Sequence, residues 1–134
     1  MATVLFLCVH NAGRSQMAEA IFNRLASERG LAHTAESAGT ELADRVHPRV
    51  VEAMAEIGLD LSEKKPRLLT NHMVEQAGRV ITMGCAVDSE ACPAFVLRDV
   101  EDWGLPDPKE MELAEVGVVR DAIRGNVEAL LRTL

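Results

Sequence analysis

The segment Thr3-Val4-Leu5-Phe6-Leu7 is a short apolar run closed by the thiol of Cys8, and Arg14 stands six residues further on. A run of this length, bounded by the stretch Val9-His10-Asn11-Ala12-Gly13, reads as a buried strand followed by a loop. Ser15 then opens an amphipathic stretch in which Met17, Ile21 and Leu25 fall four apart, so a helix follows and ends near Gly30. A buried strand feeding a helix through a loop of small residues is the opening unit of an α/β protein. It puts Cys8 at the carboxyl end of the strand, the edge at which open α/β sheets bind ligands.

The residues of this loop suit an oxyanion. Successive backbone N–H groups in such a turn form a concave nest, and the next helix adds unpaired donors and the positive end of its dipole. Arg14 brings a planar fork that matches two oxygens of a tetrahedral anion. The same field stabilises the thiolate form of Cys8, the form that attacks. Ser15 is placed to cap the helix or to hydrogen-bond the sulfur, Asn11 to bridge the loop to neighbouring backbone, and Gly13 to relax the backbone before Arg14. Val9, His10, Asn11, Ala12, Gly13, Arg14 and Ser15 are therefore the expected binding loop, around Cys8 as nucleophile.

The rest of the chain repeats the alternation. A short strand is expected over residues 34–37, and a helix from Pro48 carries Val50, Met54 and Ile57 and stops at Gly58. Residues 59–69 read as a basic, irregular stretch. Thr70 can cap a short helix through Val74, strands are expected at 79–83 and near 95–100, and Leu113, Val116, Val119, Ile123, Val127 and Leu130 repeat at helical spacing. This order predicts one domain over residues 1–134, with three α/β/α layers around a parallel sheet of about four strands. The length of 134 residues supports one sizeable core. A net charge of −7 with no basic stripe argues against nucleic acid as a partner. No apolar run reaches membrane-spanning length and the amino terminus reads as a strand without a basic flank, so a cytoplasmic protein off the membrane is expected. An odd set of three cysteines suits thiol chemistry rather than a disulfide framework.

Those other cysteines, Cys85 and Cys92, lie between Gly84 and Pro93, directly after the expected strand at 79–83. Seven helical steps would separate them by about 10.5 Å. A disulfide needs Cα atoms within roughly 7 Å, so bridging them requires the segment to loop or unwind. A zinc site would need further ligands that the spacing does not offer, and two free buried thiols are a third possibility. Further on, Asp107 lies between Pro106 and Pro108, which favour an extended loop able to present a carboxyl over the anion pocket as a general acid, or an ordinary turn.

Together these residues resemble a known family. The run Cys8-Val9-His10-Asn11-Ala12-Gly13-Arg14-Ser15-Gln16-Met17-Ala18-Glu19 is similar to the phosphate-loop signature of the thioredoxin-coupled arsenate reductases, which share the fold of low-molecular-weight protein tyrosine phosphatases. The resemblance extends through Ser37-Ala38-Gly39, the Cys85/Cys92 pair, Trp103-Gly104 and Asp107-Pro108. Ser-Gln-Met after Arg14 also resembles the reductases, where phosphatases usually show Ser-Pro. With Tyr absent and only three Phe and one Trp, the chain is short of aromatic walls for a phosphotyrosine.

The resemblance implies arsenate as substrate, with phosphate and sulfate as competing oxyanions, and Cys8, Arg14, Cys85, Cys92 and Asp107 as catalytic residues. It implies a relay: Cys8 attacks arsenic, Cys85 attacks Cys8 to expel arsenite, and Cys92 moves the disulfide to Cys85–Cys92 for reduction by thioredoxin. No resident cofactor and a monomer are expected. Relatives often hold potassium near the loop, and Asn11, Glu19 and Ser37 match part of that ligand set. The later ligands are replaced here by Lys65 and Arg67, so no metal is expected and a lysine ammonium pairing with Glu19 could take the ion's place. The alternatives are a plain phosphatase using Cys8, Arg14 and Asp107, an arsenate–thiol transferase relying on mycothiol or glutathione, and a cysteine-phosphorylated carrier.

Overall fold

A computed structural model describes residues 3–41, 43–83 and 100–134. Its elements run β1 (Thr3–Cys8), α1 (Arg14–Glu28), β2 (Thr34–Gly39), α2 (Pro48–Ala55), α3 (Asn71–Gln76), β3 (Arg79–Thr82), β4 (Val100–Asp102), a 3-10 turn (Pro108–Glu110) and α4 (Leu113–Leu131). The four strands form one parallel sheet in the order β2-β1-β3-β4. The chain moves outward from β1 to β2, then crosses back over β1 to β3. The strand order thus reverses at β1, and the loop after Cys8 lies at that switch point.

Alternation along β1 explains the layers. Val4, Phe6 and Cys8 enter the larger core with α1, α2 and α4, whereas Leu5 and Leu7 enter a smaller one with Val74 of α3. The α1 face that covers the sheet is Met17, Ala18, Ile21, Phe22 and Leu25. Phe6 meets Phe22 edge-on at 6.1 Å and Trp103 at 5.4 Å between ring centroids, which anchors the sheet to α1 and to the segment after β4. The spacing of Val116, Val119, Ile123, Val127 and Leu130 buries one side of α4, as expected. Arg120, on that helix, donates to Ala53 O at 2.7 Å and to Glu56 at 2.8 Å, fastening α4 to the end of α2.

Boundaries shift in places for local reasons. β2 continues two residues beyond Ser37 because Ala38 and Gly39 pair with Leu7 and Cys8. α2 stops at Ala55, and Ile57 lies in the following turn that Gly58 ends at φ 80°. β3 ends at Thr82, and α3 runs to Gln76 with Thr70 as its cap, its hydroxyl accepting from Met73 N at 3.2 Å. The last strand begins at Val100, so the residues expected to precede it, with Cys85 and Cys92, lie outside the described residues.

Candidate active site

The loop between β1 and α1 is folded around the sulfur of Cys8. Asn11 takes the left-handed conformation at φ 54°, which Asn tolerates better than most residues. That turn brings its backbone N–H to within 3.2 Å of Cys8 Sγ. Ser15 Oγ stands 2.8 Å from the same sulfur and accepts from Asn11 Nδ2 at 2.8 Å. With its oxygen already accepting, the Ser15 hydroxyl can turn its proton to the sulfur. Both groups then present hydrogens to Cys8, the arrangement an attacking thiolate requires.

Ser15 is the second residue of α1 and does not cap it; the cap position is Gly13. Asn11 and Ser15 are fully buried and hold the loop from behind. The left-handed residue is Asn11 rather than Gly13, whose φ is −143°. Gly13 matters for space instead: a Cβ there would stand 3.0 Å from Pro108 Cγ and 3.4 Å from His47 Cδ2. Glycine lets the 3-10 turn and the start of α2 close against the loop.

Arg14 is buried and spans the site. Its Nη1 donates to Met83 O at 2.7 Å and Leu105 O at 2.6 Å, tying the end of β3 to the loop after β4. Its Nη2 is 3.9 Å from Asp107 Oδ2. Asp107 is half-exposed and extended, as the flanking prolines predict, and its other oxygen accepts from Lys109 N at 3.0 Å. Cys8, Val9, His10, Ala12, Gly13, Arg14 and Asp107 line one cleft of about 150 Å³, together with His47. That is below the ~300 Å³ typical of drug-sized ligands and suits a small anion. Val9 O and Ala12 O accept from Glu41 N and His47 N, both at 2.8 Å, which anchors the loop to the segment after β2.

Behind the loop, Arg67 and a lysine ammonium do pair with Glu19, but the lysine is Lys64. Glu19 is buried in α1, and the groups that meet it are Arg67 Nη2 at 2.5 Å and Lys64 Nζ at 3.5 Å, not Lys65. Lys65 contributes only its carbonyl, 3.3 Å from Gln16 Nε2. Asn11 Oδ1 already accepts from Arg67 N at 2.8 Å and Gln16 Nε2 at 2.9 Å. These residues do not fit a potassium ion: the carboxylate faces two cations and the amide oxygen has both lone pairs engaged. Ser37 Oγ stays buried without a hydrogen-bond partner among the described residues.

Sequence reading passed over His47. It is half-buried on the cleft wall, and its imidazole pKa is held below 6.5 chiefly by burial, with Lys109 and His10 acting the same way and Asp107 opposing. A histidine directly before Pro48 was its only signal.

A thiol at the end of the first strand, an arginine at the head of the next helix and an aspartate share one small cleft of a four-stranded parallel sheet, the fold class of the low-molecular-weight phosphatases. Residues 3–134 match the family described as low molecular weight phosphotyrosine protein phosphatase, and the chain belongs to it. Within that family its relatives include an arsenate reductase of Staphylococcus xylosus, 35% identical over 127 residues that cover 94% of this chain and 93% of the relative. Among solved structures, an arsenate reductase in the phosphate-binding state superposes with a TM-score of 0.84 at 31% identity, covering 99% of this chain and 98% of that one. A thioredoxin-dependent arsenate reductase of Corynebacterium glutamicum gives a TM-score of 0.78 at 34% identity, covering 99% of this chain and 61% of that one.

Proposed function

We propose that this protein reduces arsenate to arsenite through Cys8, Cys85 and Cys92, with thioredoxin restoring the thiols. The observation that carries the reading is Cys8 on a small cleft that Arg14 and Asp107 also line, in a chain whose sequence supplies two further cysteines just after β3. The arsenate reductases among its relatives support the substrate, and the thioredoxin-dependent relative supports the reductant.

Arsenate resembles phosphate in charge and shape, and settles against the loop. Cys8 attacks arsenic while Asp107 gives a proton to the departing oxygen, which leaves as water. Cys85 then attacks Cys8 Sγ. The sulfur–arsenic electron pair stays on arsenic, which falls from the pentavalent to the trivalent state and leaves as arsenite, and a Cys8–Cys85 disulfide forms. Cys92 attacks Cys85, freeing Cys8 and leaving Cys85–Cys92 as the disulfide that a thioredoxin dithiol reduces. The electrons come from the chain's own thiols and then from thioredoxin.

The test is arsenate-dependent NADPH oxidation with thioredoxin and its reductase. Wild type should turn over, and Cys8→Ser, Cys85→Ser and Cys92→Ser should each lose steady-state turnover. A wild type inactive here but active with mycothiol and a mycoredoxin would refute the thioredoxin reading. A Cys85→Ser variant that hydrolyses phosphomonoesters as fast as wild type, with no arsenate reduction by either, would identify a plain phosphatase.

A further inference from the structure

His47 is not part of the loop that follows Cys8, yet the fold sets it on the same cleft. Pro48 disfavours the helical region for the residue before it, so His47 is extended at φ −57°, ψ 134°. In that conformation its N–H reaches Ala12 O at 2.8 Å, pinning His47 to the anion loop. Its ring packs over Gly13, where Cδ2 would lie 3.4 Å from a Cβ. The ring walls the cleft together with Asp107 and His10. An oxyanion that meets Cys8, Arg14 and the loop still has an oxygen directed away from them, and His47 and Asp107 line the same cleft.

We infer that His47 is a further substrate-contacting residue, whose imidazole hydrogen-bonds the outward oxygen of the bound oxyanion and sets its affinity. The inference rests on reading the cleft as an oxyanion site, and it names a residue of that site outside the loop. The charged and titratable groups that face His47 are Asp107, Lys109 and His10, with Arg14 on the same cleft and Glu41 3.8 Å from His10. Burial favours the uncharged imidazole. It can donate from one nitrogen and accept from the hydroxyl of a protonated oxyanion at the other. On protonation it becomes a cation beside the anion, and affinity rises further.

The experiment uses inorganic phosphate as the probe and reads protection of Cys8 from iodoacetamide by peptide mass spectrometry, for wild type, His47→Ala and His47→Gln. His47→Ala should raise the phosphate Kd about tenfold, the equivalent of ~1.4 kcal/mol. In arsenate turnover the loss should fall on KM more than on kcat. His47→Gln keeps a donor of similar reach and should recover most of the affinity. The ratio of the Gln variant's Kd to that of wild type should grow as pH falls below 6.5, because only wild type gains the imidazolium. Comparison at equal pH cancels the titration of phosphate itself. An unchanged Kd in His47→Ala would overturn the inference. So would equal weakening in both variants with no pH dependence in the ratio, which marks a packing role. If wild type binds phosphate through His47 but reduces no arsenate, the proposed reaction fails and this inference stands. If phosphate gives wild type no protection, the oxyanion reading itself is refuted, and the inference with it.

Discussion

Replacing Gly39 by alanine tests how the sheet shapes the anion loop. Gly39 ends β2 opposite Cys8. A Cβ there would stand 2.5 Å from Val9 O, 2.8 Å from Asn11 N and 2.9 Å from His10 C. All three are backbone atoms, so no side-chain rotation relieves the contact; either β2 or the loop must move. Both are held, since Gly39 N donates to Arg67 O at 2.9 Å, Gly39 O accepts from Leu69 N at 2.8 Å, and Glu41 N holds Val9 O at 2.8 Å. Adding a methyl to a packed, pinned position costs roughly 1–3 kcal/mol. The displaced atoms include the Asn11 N–H that reaches Cys8, so oxyanion binding should weaken with stability. Gly125 in α4 is the control: nothing lies within 4 Å of a Cβ there. Alanine in a helix interior gains about 0.5–1 kcal/mol over glycine. Urea unfolding should therefore give Gly39→Ala and Gly125→Ala opposite signs, with phosphate protection of Cys8 weakened only in the first. A Gly39→Ala variant with wild-type unfolding free energy and wild-type phosphate affinity would refute the argument.

Among the described residues, Arg67→Met leaves the buried Glu19 carboxylate with Lys64 alone, at 3.5 Å. Losing a hydrogen bond to a charged group should cost about 1.5–3 kcal/mol in urea unfolding, kept near the low end by the half-exposed Arg67 side chain, and Arg67→Lys should restore part of it. His47 gives a signed pH dependence. Its folded pKa lies below 6.5, so in the acid range the unfolded chain binds its proton first. Wild-type stability should then fall as pH drops from 6.5 through the lowered folded value. The His47→Gln variant should show a shallower fall in chemical denaturation over that range; an identical slope would refute the assignment.

How much of this was legible beforehand follows the range of the interaction. β1, α1 and the position of Cys8 between them could be read because an apolar run and helical spacing are local, and the alternating order of strands and helices implied helices on both faces of the sheet. Asp107 was legible through its flanking prolines. The cation on Glu19 was not: Lys64, Lys65 and Arg67 are near neighbours of similar charge, and only the path of the backbone decides which of them turns inward. Lys65 faces the site with its carbonyl, while Arg67, at a separation of 48 residues, reaches Glu19. The same holds for the two carbonyls on Arg14, which lie 69 and 91 residues away.

The sequence by itself thus determined the order of elements, the parallel sheet and the thiol at the carboxyl end of its first strand, since each is written in spacings of a few residues. Tertiary structure decided what surrounds that thiol: Gly39 under the loop, Arg67 against Glu19, Arg14 bridging Met83 and Leu105, and His47 on the cleft wall. The physical reason is reach. A side chain spans a few ångströms, and folding alone brings residues tens of positions apart within that distance.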